Sequence, residues 1–92
     1  MRPIAHAVPG ALVELLKAAP LSDGKVAFAW TAAVGPALGR VTAVKLERGV
    51  LIVETPGPQW SREIMRSSPL ILARIQRMLG ADAVETIEVR RA

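Results

Sequence analysis

Residues 49–60, which read GVLIVETPGPQW, decide the fold of this chain. The run from Val50 to Thr55 is apolar and rich in β-branched residues, which predicts a β-strand. Because apolar and polar residues alternate imperfectly in it, we expect a central strand with both faces at least partly covered. Residues 56–58 end this strand, since a residue before proline avoids the helical region. A helix then resumes near Pro58.

Two further strands accompany this one. Residues 41–47 form a β-branched run that is joined to the central strand by Arg48-Gly49, a short hairpin signal. Residues 36–39 are interpreted as a turn before this hairpin. The last strand is predicted over residues 84–90, with Ile87 and Val89 facing inward and the polar residues between them facing outward.

Two amphipathic helices are predicted before the hairpin. The first begins at Pro9, which suits the first position of a helix, and runs to about Ala19. Ser22 or Asp23 can cap the second, which ends at Gly35. The predicted inward positions are Val8, Leu12, Leu15, Leu16 and Ala19 in the first helix, and Val26, Ala29, Trp30, Ala33 and Val34 in the second.

Two consecutive helices are predicted after the hairpin. In the first, Trp60 and Ile64 lie one turn apart and face inward, whereas Arg62 and Arg66 share a different face. Ser68 is predicted to cap the second helix, with Pro69 at its first position, and Gly80 to end it. Its predicted inward positions are Ile71, Leu72, Ile75, Met78 and Leu79, and its outward arginines are Arg74 and Arg77.

The resulting order predicts an α+β protein with a three-stranded mixed sheet and helices packed on one face. The crossover through two helices places the second and third strands parallel. With 92 residues, we expect a single domain over residues 1–92. An N-terminal helix (residues 1–21) precedes a helix–strand–strand–helix–helix–strand core (residues 22–91).

The composition excludes several classes of function. The chain has no Cys and a single His, so no metal-ligand spacing is present, and no nucleophile–base pair or glycine-rich phosphate loop is identifiable. We therefore expect no enzyme, no cofactor, no metal site and no small-molecule substrate. No apolar stretch approaches the length that spans a bilayer, and the interrupted N-terminal segment does not fit a signal peptide. These features predict a cytoplasmic protein without a membrane partner.

The positive charge is concentrated in the middle of the chain. Residues 40–79 carry seven Arg or Lys residues against three Glu. Six of the seven are arginines, whose planar guanidinium suits phosphate contact and base stacking, so nucleic acid is a reasonable partner. A solvated basic face without a partner is the alternative. The candidate nucleic-acid-binding residues are Arg40, Lys45, Arg48, Arg62, Arg66, Arg74 and Arg77.

The element order from Ser22 to Arg90 resembles a type II KH domain. KH domains clamp single-stranded nucleic acid with a GXXG loop between two consecutive helices. Here residues 65–70 at that junction read MRSSPL and contain no glycine. The backbone clamp of KH domains is therefore absent or replaced.

Several features follow one another in a characteristic order. They are WTAAVG at residues 30–35, GVLIV at residues 49–53, a helix opened by Trp60, an isoleucine- and leucine-rich helix ending at Leu79-Gly80, and a closing strand. Together they resemble the DciA family, bacterial proteins that act as operators or loaders of the DnaB-type replicative helicase. The resemblance implies a KH-like domain without the GXXG loop. It also implies binding to single-stranded or forked DNA and contact with the helicase.

We therefore interpret the chain as a non-enzymatic DNA-binding adaptor that helps to load or position the replicative helicase. The alternatives are a protein–protein interaction module that does not touch DNA and a KH-like RNA-binding protein. Trp30 is interpreted as a core residue. Trp60 is interpreted as a core residue as well, with base stacking as the alternative.

Overall fold

The described part of the chain folds into eight elements around one sheet. The structure, a computed structural model, describes residues 10–18 and 20–91, without the side chains of residues 12 and 16–18. The elements are α1 (Gly10–Ala18), α2 (Asp23–Val34), α3 (Pro36–Val41), β1 (Ala43–Glu47), β2 (Val50–Thr55), α4 (Pro58–Arg66), α5 (Ser68–Leu79) and β3 (Thr86–Arg91). Within this described part, no helix is long and apolar enough to cross a membrane.

The sheet has the order β1-β2-β3, with β2 in the centre as predicted. β1 and β2 are antiparallel, and β2 and β3 are parallel, so the sheet is mixed. The hairpin closes through Arg48 and Gly49, which have φ angles of 51° and 82°. Positive φ at both positions is the combination of a type I′ turn, whose twist matches that of the flanking strands. The crossover from β2 to β3 contains α4 and α5.

The helices pack on one face of the sheet, and the core lies between the two layers. Leu51 and Val53 of β2 point into this core, and Trp30 of α2 is only 1% exposed. Trp30 is thus confirmed as a core residue, whereas Trp60 is half-buried and packs against the core from α4. The predicted inward residues of α2 are all buried, as are Ile64 of α4 and Ile71, Ile75, Met78 and Leu79 of α5.

The opposite face of the sheet carries no helix among the described elements, and we call it the open sheet face. Ile52 points to it from β2 and is nevertheless only 3% exposed. In the strand register Ile52 lies between Lys45 of β1 and Glu88 of β3, whose aliphatic parts flank it. The prediction that both faces of the central strand are partly covered is confirmed.

The segment predicted as a turn at residues 36–39 is instead a short helix, α3, which extends to Val41. Consequently β1 begins at Ala43, two residues later than predicted. Pro36 directly after Gly35 is a helix-start signal as well as a stop signal, and the buried side chain of Leu38 holds α3 against the core. Local sequence alone did not distinguish these outcomes.

Three smaller predictions are also corrected, two of them at element ends. Ser67, not Ser68, is the N-cap of α5, and its side chain makes no capping hydrogen bond. The last strand begins at Thr86, because Val84 is fully buried in the preceding loop and its carbonyl accepts a 2.9 Å hydrogen bond from Gln76 Nε2. Among the α1 side chains that the structure describes, Val13 is buried, whereas Leu15, a predicted inward position, is 68% exposed. The predicted inward side chains of Leu12 and Leu16 are not among those described. The predicted ends of the first helix, Pro9 and Ala19, lie outside the described residues, as does Val8.

Candidate nucleic-acid interface

Helix α4 is fixed to the end of β2 by a small polar cluster. Thr55 is fully buried, and its Oγ1 lies 2.6 Å from Ser61 Oγ in a shared hydrogen bond. Both hydroxyls also approach the carbonyl oxygen of Gly57 at 3.4 Å. Pro58 occupies the start of α4, where its missing N–H costs nothing. This anchoring sets the rotation of α4 about its axis and hence which side chains face solvent.

The solvent side of α4 is a basic stripe with one large apolar residue in it. Gln59, Arg62, Met65 and Arg66 are all exposed, at the three- and four-residue spacing of a helix face. Arg66 forms a long ion pair with Glu63, at 3.9 Å. Among the described residues, no carboxylate is paired with Arg62. Within the described part of the chain, the carboxylate of Glu63 is therefore the one that offsets the positive charge of this stripe, and its effect is weak because the pair is long and exposed.

Helix α5 continues the exposed surface beyond the single residue Ser67. Leu70, Ala73 and Arg77 lie on its solvent side, and Arg77 occupies its last turn. Arg74, in contrast, is half-buried and engaged within the structure, so the prediction that it faces outward is only partly met. Arg62, Arg66 and Arg77 are therefore the predicted cations that the two helices present to solvent.

The remaining predicted cations lie elsewhere. Arg40 is exposed on α3, before the sheet begins. Lys45 stands on the open sheet face and pairs with Glu47 at 3.3 Å. Arg48 is exposed in the hairpin turn, where its backbone has a positive φ. The seven predicted residues therefore do not all lie on one surface, because Lys45 stands on the open sheet face, and Arg62, Arg66 and Arg77 lie on the helices on the opposite side of the sheet.

The positive and negative side chains on the open sheet face largely cancel each other's charge. Its charged residues from the three strands are Lys45, Glu47, Glu54, Glu88 and Arg90, two positive and three negative. The guanidinium of Arg90 donates a hydrogen bond to Glu88 and pairs with it. This hydrogen bond and the nearby carboxylates raise the pKa of Arg90. Such a face attracts a polyanion much less than the helical layer does.

The residue pattern missed two exposed apolar side chains, Met65 and Leu70, which are 64% and 48% exposed. A signal for them was present. Met65 lies three residues after Arg62, on the arginine stripe, and Leu70 lies outside the inward positions of α5. We call the surface formed by Arg62, Met65, Arg66, Pro69 and Leu70 the corner surface.

No group of His, Asp and Glu side chains in the described part of the chain has the arrangement of a metal site. None of the buried side-chain nitrogen or oxygen atoms in this part lacks a hydrogen-bond partner. The exposed side chains of α4 and α5 include guanidinium and apolar groups, which suit anionic and apolar partners.

A mixed three-stranded sheet with two consecutive helices in its crossover, and no glycine at their junction, defines a small α+β domain arranged like a KH domain without a GXXG loop. The family model described as "Dna[CI] antecedent, DciA" matches residues 3–89. The chain belongs to the DciA family, and the resemblance seen in the sequence is confirmed. Membership implies a role in loading the DnaB-type replicative helicase during DNA replication. No significant match to a curated protein or to a solved structure was found.

Proposed function

We propose that this protein is a non-catalytic adaptor that binds single-stranded or forked DNA while it helps to place the replicative helicase, and that it acts in the cytoplasm. Family membership supplies the helicase-loading role. The DNA-binding part is supported by one observation above all: the exposed stripes of α4 and α5 present three arginines with little opposing charge.

The proposed DNA contacts fall into two groups. Arg62, Arg66 and Arg77 form the main group, because they project from the helical layer into solvent. Arg40, Arg48 and Lys45 form a second group that can reach a longer strand passing around the domain, and Arg74 supports the main group from a half-buried position. Guanidinium groups suit this task because they donate two parallel hydrogen bonds to a phosphate.

Fluorescence anisotropy with a labelled single-stranded oligonucleotide tests the DNA half of the proposal. We expect salt-sensitive binding, and we expect R62A/R66A to weaken it by about tenfold at low salt. Arg90→Ala is the matched control, because Arg90 is not among the proposed contacts and pairs with Glu88 on the open sheet face, on the side of the sheet opposite to the helices. The control is expected to change affinity by less than about twofold. Absence of binding at low ionic strength would refute DNA recognition.

Two further measurements separate the alternatives. Co-elution with the cognate DnaB-type hexamer in size-exclusion chromatography tests the helicase contact directly. If the hexamer co-elutes and no DNA binding is seen, the chain is a protein–protein interaction module. Competition between RNA and DNA strands of equal length and sequence tests the KH-like alternative, since preferential displacement by RNA would favour an RNA-binding protein.

A further inference from the structure

Two large apolar side chains stand in solvent at the junction of α4 and α5. Met65 belongs to the last turn of α4 and Leu70 to the first turn of α5, with 64% and 48% of their surfaces exposed. The turn between the helices is the single residue Ser67, whose N–H donates back to the carbonyl of Glu63 at 3.3 Å. Both side chains are therefore carried by regular helix on either side of a tight corner.

The immediate surroundings of these side chains are basic. Arg62 lies one turn before Met65 on the same helix face, and Arg66 follows Met65 directly. Pro69, also exposed, precedes Leu70. The single nearby carboxylate on α4 is that of Glu63, which is half-buried and lies 3.9 Å from Arg66. The corner surface thus combines apolar side chains with flanking guanidinium groups.

We propose that the corner surface binds unpaired bases and thereby makes this protein bind single-stranded DNA more tightly than duplex DNA. This inference rests on the proposed DNA-binding function and adds that the site distinguishes single-stranded from duplex DNA. Arg62 and Arg66 bind the phosphates of the strand, while Met65 and Leu70 contact the exposed faces of one or two bases.

The arginines and the apolar side chains of the corner surface respond differently to single-stranded and duplex DNA. Phosphates are accessible in both forms, so the arginines bind both. Base faces are accessible only in a single strand, because in a duplex they are stacked on their neighbours. Apolar contact at Met65 and Leu70 therefore adds affinity for a single strand and little for a duplex.

The positive charge of the corner surface favours a DNA strand, rather than an apolar segment of a partner protein, as its ligand. A helix that docked on Met65 and Leu70 would bring its own residues against Arg62 and Arg66 and would have to supply carboxylates to both. A single strand supplies a phosphate at every nucleotide and a base beside it, which matches the alternation of basic and apolar side chains at the corner. We therefore assign the corner to the nucleic acid.

The test compares affinities for a labelled single strand and for a duplex of the same length, at one salt concentration, for wild type and variants. For M65S/L70S we expect a loss of about fivefold for the single strand and less than about twofold for the duplex. For R62A/R66A we expect losses for both ligands. Leu21→Ser is the matched control, because Leu21 is also an exposed apolar residue but lines a groove with Arg48 and Ala83, near the far end of α5.

Each outcome is decisive. A lower ratio of single-strand to duplex affinity in M65S/L70S, with an unchanged ratio in Leu21→Ser, supports the assignment. An unchanged ratio in M65S/L70S, in a wild-type protein that binds DNA, overturns it and leaves the proposed function intact. Lack of DNA binding by the wild type overturns both. Equal unfolding temperatures of the variants and wild type show that the exposed substitutions leave the fold unchanged.

Discussion

The indole Nε1–H of Trp30 donates a 2.7 Å hydrogen bond to Thr42 Oγ1, and the same hydroxyl donates to the carbonyl oxygen of Leu38 at 2.8 Å. This chain of two bonds ties the core tryptophan of α2 to α3 and to the residue directly before β1. Because Trp30 is almost fully buried, Thr42 is the group that satisfies its only polar atom. The short helix α3 is thus held in place by tertiary contacts.

Thr42→Val is expected to lower the free energy of unfolding by about 1–3 kcal/mol, because it leaves the buried indole N–H without an acceptor. Urea unfolding followed by tryptophan fluorescence measures this. Thr42→Ser keeps the hydroxyl and serves as the control, with a loss expected to be clearly smaller. A loss in Thr42→Val no larger than the loss in Thr42→Ser would contradict the stabilising role assigned to the hydroxyl.

Gly39→Ala is expected to destabilise the protein although alanine favours helix. A Cβ at position 39 would lie 2.7 Å from Thr31 Oγ1 and 3.2 Å from Thr31 Cβ. Overpacking of this kind costs about 1–3 kcal/mol, which exceeds the gain in helix propensity of about 1 kcal/mol. Thermal unfolding is the measurement, and Thr31→Ala in the same chain should restore part of the loss.

In α2, Gly24→Ala is expected to stabilise the protein, in contrast to Gly39→Ala. The nearest atom to its new Cβ is Ser22 Oγ at 4.0 Å, so the methyl group fits. We expect the free energy of unfolding to rise by about 0.5–1 kcal/mol, since alanine restricts the unfolded chain. A decrease would contradict the packing described around the start of α2.

Arg48→Asn is expected to raise the free energy of unfolding by about 0.5–1 kcal/mol. Arg48 has a φ of 51°, and asparagine before glycine is preferred in a type I′ turn. Arg48→Lys is the control that keeps the charge and the strain, and it should leave stability unchanged.

Conversely, Gly49→Ala should be destabilising, because position 49 has a φ of 82° and its Cβ would meet Glu85 at 3.4 Å.

The salt dependence of DNA binding should report how many phosphates the helical layer contacts. Three contacts by Arg62, Arg66 and Arg77 predict a slope of about −2 in a plot of log affinity against log salt for single-stranded DNA. R62A/R66A should make that slope less steep by about 1.4. Anisotropy titrations at four or more salt concentrations give both slopes. An unaltered slope in the variant would mean that the ionic contacts lie elsewhere.

Much of the helical and strand structure follows from local sequence. The stripe from Val26 to Val34 and the terminator Gly35 define α2, and the two positive-φ residues Arg48 and Gly49 close the hairpin as predicted. The parallel third strand follows because a crossover through two helices leaves little choice. Periodicity and turn chemistry are local properties, so a single sequence displays them.

The predictions that failed depend on contacts between distant residues. Residues 36–39 carry equally good signals for a turn and for the start of a helix, and the packing of Leu38 and the bond from Trp30 to Thr42 select the helix. Leu15 has the same apolar character as Val13, and its position on α1 relative to the neighbouring α5 decides that it is exposed. The local sequence pattern predicts neither the helix at residues 36–41 nor the exposure of Leu15.

The sequence by itself determined the α+β class, the central strand and the family, because these depend on the order and periodicity of residues along the chain. Only the tertiary structure decided how the charge is divided. It turned Lys45 toward Glu47 on the open sheet face and left Arg62, Arg66 and Arg77 exposed on the helical layer. The physical reason is that a side chain's partners depend on which face of its element is buried, and burial is a property of the assembled layers.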